Sequence, residues 1–190
     1  MTLDEIVKDY IRTQRPYTGE EMKDFVNEPS LLAAIRRAAL CELKSGKRHD
    51  HQRRIPKWLL EQVETKLQAI RRKLSNAADF DALHRLVEQE IGRIKGIGAL
   101  TVYDISHRIG AYFGKAPERV YLHAGVRVGA RALGIGGDSF HPKILPKPFA
   151  RLAPSEIEDC LCIYKKELLG GAPDNSRRSA GCAAPRRPRC

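Results

Sequence analysis

The chain has 190 residues, 42% hydrophobic but only 6% aromatic, with a formal charge of +11 and an isoelectric point near 9.6. That length suffices for one domain with a proper core, and Leu, Ile, Ala and Val dispersed among charges suit packed helices better than a sheet sandwich. No apolar run approaches the roughly 18 residues that span a bilayer, and the N-terminal MTLDEIVKDY lacks a signal peptide's basic and apolar regions, so a soluble, cytoplasmic protein without membrane contact is expected.

In chain order, Thr2 and Glu5 form the first of three T/S-x-x-E helix-start signatures, in which hydroxyl and carboxylate each satisfy a backbone N–H. Thr18 and Glu21 form the second, and a further helix is expected over 30–44. The loop KSGKRHDHQRRIP (44–56) gathers Lys47, Arg48, Arg53 and Arg54 around His49 and His51. Those cations suit contact with phosphates, whereas His-x-His supplies only two metal ligands, so no metal is expected. After Pro56, Leu59, Val63, Leu67, Ile70 and Leu74 recur at helical steps, and from Asp79 onward Phe80, Leu83, Val87, Ile91 and Ile94 share one face.

The next helix buries Val102, Ile105, Ile109 and Phe113, while its Asp104 is spaced to pair with His107 or Arg108. A helix starting at Pro117 would align His123, Arg127 and Arg131 as a cationic stripe, with His123 a candidate acid or base. On that helix Gly125 and Gly129 would admit a close neighbour. Residues 134–148 form a Gly/Pro-rich loop, and Ser155 with Glu158 signals a last helix carrying Ile157, Leu161, Tyr164 and Leu168. The tail 170–190 mixes Gly, Pro, Ser and Arg with almost nothing to bury, so disorder is expected. No strand pattern is present. The fold class is therefore all-α, a single helical domain over 1–169. Five cysteines without a CxxC argue for reduced thiols.

The stretch IKGIGALTVYDISHRIG (94–110) carries the functional signal. Gly96 and Gly98 allow a tight turn, Ile97 can drop between the flanking helices, and the second helix presents unsatisfied N–H groups at its start, an anion site. This pattern resembles the helix-hairpin-helix motif, placed here at about 80–113. Through Thr101 it is similar to the L-P-G-h-G-x-x-T-A signature of the helix-hairpin-helix DNA glycosylase superfamily. The resemblance implies that Lys95, Gly96, Ile97, Gly98, Ala99 and Thr101 contact a DNA backbone, with Lys47, Arg48, Arg53, Arg54, Arg127 and Arg131 widening the footprint. It continues to Val120 and His123, but the family's catalytic Lys and Asp fall at Leu100 and Tyr121. Cleaving an N-glycosidic bond needs a nearby carboxylate or amine. The expected function is thus sequence-independent DNA binding without glycosylase activity and without a cofactor. The alternatives are a divergent glycosylase or lyase using Glu118, Tyr121 or His123, and a helical protein with no nucleic-acid ligand.

Overall fold

The computed structural model describes residues 1–170. Ten helices follow in order: α1 Leu3–Thr13, α2 Arg15–Val26, α3 Leu31–Ala39, α4 Lys57–Ala69, α5 Arg71–Ser75, α6 Phe80–Ile91, α7 Ala99–Tyr112, α8 Ala124–Ala132, α9 Pro154–Ile163 and α10 Lys165–Leu168. The fold is all-α. The only ladder among the described residues pairs β1 (Val120–Tyr121) antiparallel with β2 (Ser139–Phe140). The expected disordered tail lies, from residue 171 on, outside the described residues.

Capping follows the sequence at some helices and departs from it at others. Thr2 and Glu5 form the reciprocal pair: Glu5 N–H donates to Thr2 Oγ1 at 3.3 Å and Thr2 N–H to Glu5 Oε2 at 2.7 Å. Asp79 caps α6 by accepting from the Ala82 amide at 2.7 Å. The other two signatures are not caps. Pro16 and Pro154 occupy first-turn positions, where a fixed φ and a missing N–H cost nothing, so both helices begin earlier than Thr18 and Ser155 suggest. Glu156 takes over the reach back to the Ala153 amide at 2.8 Å. Glu21 and Glu158 are thereby released to turn inward.

The buried apolar side chains form two clusters. The first joins α3, α4, α6 and α7 through residues such as Ile35, Leu60, Val63, Leu67, Leu83, Val87, Ile105 and Ile109, all fully buried. The second joins the first helix to the later ones: Ile6, Val7 and Tyr10 of α1 meet Val126 of α8 and Ile157 and Leu161 of α9, with Val120 and Phe149 between. The expected helix from Pro117 starts only at Ala124, because Val120 is used as a strand residue opposite Phe140 and buries its side chain in the second cluster.

Helices α8 and α9 pack with almost no separation. A Cβ on Gly129 would collide with the Leu161 carbonyl oxygen, so the glycine pair expected to admit a neighbour does so. Among the described residues no helix is long and apolar enough to cross a membrane. The α8–α9 contact yields a stability prediction. Gly129→Ala should lower the unfolding free energy by about 1–3 kcal/mol, the usual cost of overpacking, measured as a shift in the urea midpoint.

Candidate nucleic-acid interface and the adjoining cleft

Helices α6 and α7 pack on each other and are joined by residues 92–98. Ile94 and Ile97 point into the first cluster, and Ile97 is 6% exposed. The Ile97 amide donates to the Ile94 carbonyl at 2.9 Å and closes the turn. That donor is spent inside the protein, so Ile97 anchors the hairpin and does not face a ligand. Around it, Lys95, Gly96, Gly98 and Ala99 are exposed.

The two glycines answer different demands. Gly96 has φ +98°, and a Cβ there would approach Leu59 Cδ2 to 2.9 Å, so conformation and packing both require glycine. Gly98 has φ −97° and ψ 169°, open to any residue, and a Cβ there would meet nothing within 4 Å. It is the N-cap of α7, where Ser, Thr, Asp or Asn would satisfy a first-turn amide. Glycine leaves that amide open at the helix's positive end, which carries roughly half an elementary charge.

The basic residues divide into free and structural. Lys47, Arg53, Arg54 and Arg131 are exposed, though Arg53 lies 3.4 Å from Asp50. Arg48 instead ties its own loop, donating to the Ile55 carbonyl at 2.7 Å. Arg127 donates to the Gly137 carbonyl at 2.8 Å and to Asp138 Oδ1 at 2.7 Å. Thr101 is 6% exposed and faces the interior. The sequence reading passed over Trp58. This tryptophan, the chain's only one, is 65% exposed one residue before the Leu59 that underlies Gly96. Its signal was its place just off the Leu59–Val63–Leu67 stripe, next to Lys57.

The catalytic candidates separate as well. Glu118 is exposed and lines neither cavity at the hairpin. Tyr121, His123 and Arg127 do converge, on a cavity of about 490 Å³ that reaches Ala99 at the start of α7. Tyr121 donates its hydroxyl to Asp81 Oδ1 at 2.6 Å. His123 is no part of an exposed stripe. It is 4% exposed, at the N-cap of α8, with Nε2 hydrogen-bonded to Glu158 Oε1. Burial lowers the His123 pKa to about 4 and, with Asp159 and Asp104 nearby, raises that of Glu158. Both shifts favour the neutral pair, a carboxylic acid donating to an imidazole.

A second cavity, of about 140 Å³, lies at the seam of the two clusters and is walled by α2, α7, α9 and the loop 49–51. Here Asp104 accepts from His51 Nε2 at 2.8 Å and Gln52 Nε2 at 2.9 Å, and pairs with neither His107 nor Arg108. Arg108 turns to Glu21 Oε1 and Gln52 Oε1, each at 3.1 Å. Asp159 accepts from Thr18 at 3.1 Å and Tyr10 at 3.3 Å. Among the described residues no group of three His, Cys, Asp or Glu converges as metal ligands would.

The chain matches no protein-family model, no curated protein and no solved structure.

One consequence is a pH dependence. Burial, reinforced by Asp104, pushes the Asp159 carboxyl up to about 6, above the roughly 3.9 of an unfolded Asp. Ionising it therefore costs the folded state, and the stability present below about pH 4 is lost as pH rises through 6. Asp159→Asn keeps an acceptor for Thr18 and Tyr10 but cannot ionise. It should unfold about 1–3 kcal/mol less readily than wild type at pH 8, with the gap closing by pH 4 in paired urea titrations.

Proposed function

We propose that the turn 95–99 holds a phosphate of a DNA backbone, with little dependence on base sequence. Gly98 carries this reading. It is a glycine at a helix start that neither its own backbone angles nor its packing demand; glycine serves as an ordinary N-cap, and one without a Cβ also lets another backbone approach closely from outside. The open first-turn amides of α7 and the exposed Lys95 suit an anion there. Lys47, Arg53, Arg54 and Arg131 add exposed positive charge. The resemblance to the helix-hairpin-helix motif agrees with this use of the turn, and Leu100 and Tyr121 in place of the family's Lys and Asp argue against glycosylase chemistry.

Affinity dominated by phosphates falls steeply with salt. A footprint of about three to four phosphates weakens binding roughly 40- to 150-fold between 50 and 200 mM salt, from a dissociation constant on the order of micromolar. Trp58 supplies the assay, because a single exposed tryptophan beside the hairpin reports bound DNA by its fluorescence. Gly98→Val should still fold, with a melting temperature lowered by no more than about 4 °C, since its Cβ enters open space and only the poorer N-cap is felt, and should weaken DNA binding about tenfold by blocking close approach. Equal affinity at the two salt concentrations would reject DNA as the ligand. A folded Gly98→Val protein of undiminished affinity would remove the hairpin from the interface.

One observation favours a second reading, a divergent glycosylase or lyase. Tyr121, His123 and Arg127 gather in the 490 Å³ cavity beside Ala99, next to where a bound backbone would lie. Release of product from a duplex containing abasic sites or damaged bases, abolished by Tyr121→Phe or His123→Ala, would establish it. A duplex left intact by the wild-type protein would reject it.

A further inference from the structure

The 140 Å³ cavity at the seam has a chemistry opposite to that of the protein's exterior. Five carboxyl groups line it, from Glu21, Asp50, Asp104, Glu158 and Asp159, against the single guanidinium of Arg108. That guanidinium is already engaged by Glu21 and Gln52. A phosphate or carboxylate entering here would find no free cation and several like charges, so the cavity is unsuited to the polyanion proposed for the hairpin.

Beside these acids stands the Tyr103 hydroxyl. Tyr103 is 3% exposed, and its hydroxyl is buried without a hydrogen-bond partner among the described residues. Tyr103 stands between the two cavities and lines both, and the carboxyls that act on its hydroxyl, those of Glu158, Asp159 and Asp104, all line this one. A buried hydroxyl with nothing to bond costs on the order of 1–3 kcal/mol, and a ligand in the cavity would relieve it. The carboxyls keep capacity as well. His51 and Gln52 both donate to Oδ2 of Asp104, and Thr18 and Tyr10 both to Oδ2 of Asp159. Oδ1 of each is left to accept from an occupant.

The rest of the lining is largely apolar and aromatic. The rings of Tyr103 and His107 stack with centroids 5.7 Å apart, and Leu100, Met22 and Ile163 continue the surface. Burial lowers the His107 pKa to about 4, so this ring faces the cavity uncharged. A cavity of about 150 Å³ accommodates a benzene ring, which sets the size. From these features we infer that the seam cavity is a binding site for a small organic cation, a single flat ring bearing an amidinium, guanidinium or ammonium group. The ring lies against Tyr103 and His107, and the charged nitrogens donate to Asp104, Asp159 and the Tyr103 hydroxyl. The inference is independent of the hairpin reading, since it uses no residue assigned to DNA contact.

Benzamidine, benzylamine, benzoate and toluene titrated into the full-length protein by calorimetry test it. Benzamidinium should bind saturably at one site, with benzoate and toluene at least tenfold weaker. Asp159→Asn should weaken benzamidinium at least fivefold, and Tyr103→Phe about threefold. Met22→Trp, which plugs the cavity from a half-buried position on α2, should abolish binding and covers the case of a misfolded Asp159 or Tyr103 variant. Absence of benzamidinium binding at 10-millimolar ligand (roughly the weakest useful affinity for so few atoms) would overturn the proposal. So would benzoate binding as well as benzamidinium, or a folded Met22→Trp protein that still binds it.

Discussion

The Arg108 side chain, 3% exposed in the middle of α7, is the charge around which the two clusters are assembled. A guanidinium taken out of water and left unpaired is destabilising by several kcal/mol, so its partners are not optional. Glu21 brings in α2, and Gln52 brings in the short turn Asp50–Gln52. Gln52 then donates onward to Asp104, one helical turn back on α7. Hydrophobic burial brings these segments together without specifying how they meet, because it is non-directional. The hydrogen bonds around Arg108 supply the direction. They give a loop with almost no regular structure a fixed position, and they orient the helix whose start is the hairpin and whose flank is the cleft.

The helices were legible because their signal is local. Leu59, Val63 and Leu67 fall on one stripe and all three are buried; Ile70 marks the break before α5. The hairpin was legible for the same reason, since every residue shaping it lies within one stretch of chain. The helix starts were less so: Thr18–Glu21 and Ser155–Glu158 fit a capping signature, but a proline upstream begins each helix sooner. The cleft was not legible at all. Its acids come from α2, the 49–51 loop, α7 and α9, which only the tertiary fold unites. The same holds for Arg48 and Arg127. A sequence gives their charge, but only the folded loops show carbonyls waiting for them.

Charge is sorted by depth in this protein. The excess of Lys and Arg lies mostly at the surface, where pairs such as Lys8–Asp4 and Lys57–Glu61 are exposed and contribute little to stability. Buried groups such as Arg108, His123 and Glu158 are each held by a specific partner. Such sorting lets a net positive surface attract a polyanion at long range while the interior keeps a different preference at short range. Within about one Debye length, some 8–10 Å at ordinary salt, local arrangement outweighs net charge.

Protonation sharpens that contrast. A formal charge counted from composition treats Glu158 as an anion, yet burial beside Asp159 and Asp104 drives its carboxyl toward the neutral acid, hydrogen-bonded to a neutral His123. That shift toward the acid lessens the negative charge at the seam, where Asp104 and Asp159 each keep two hydrogen-bond donors. Repulsion that would otherwise push α7 and α9 apart is reduced to what those donors offset. The clusters can then close on each other with carboxyl groups between them, and α7 keeps its positive end at the surface and its single acid, Asp104, within.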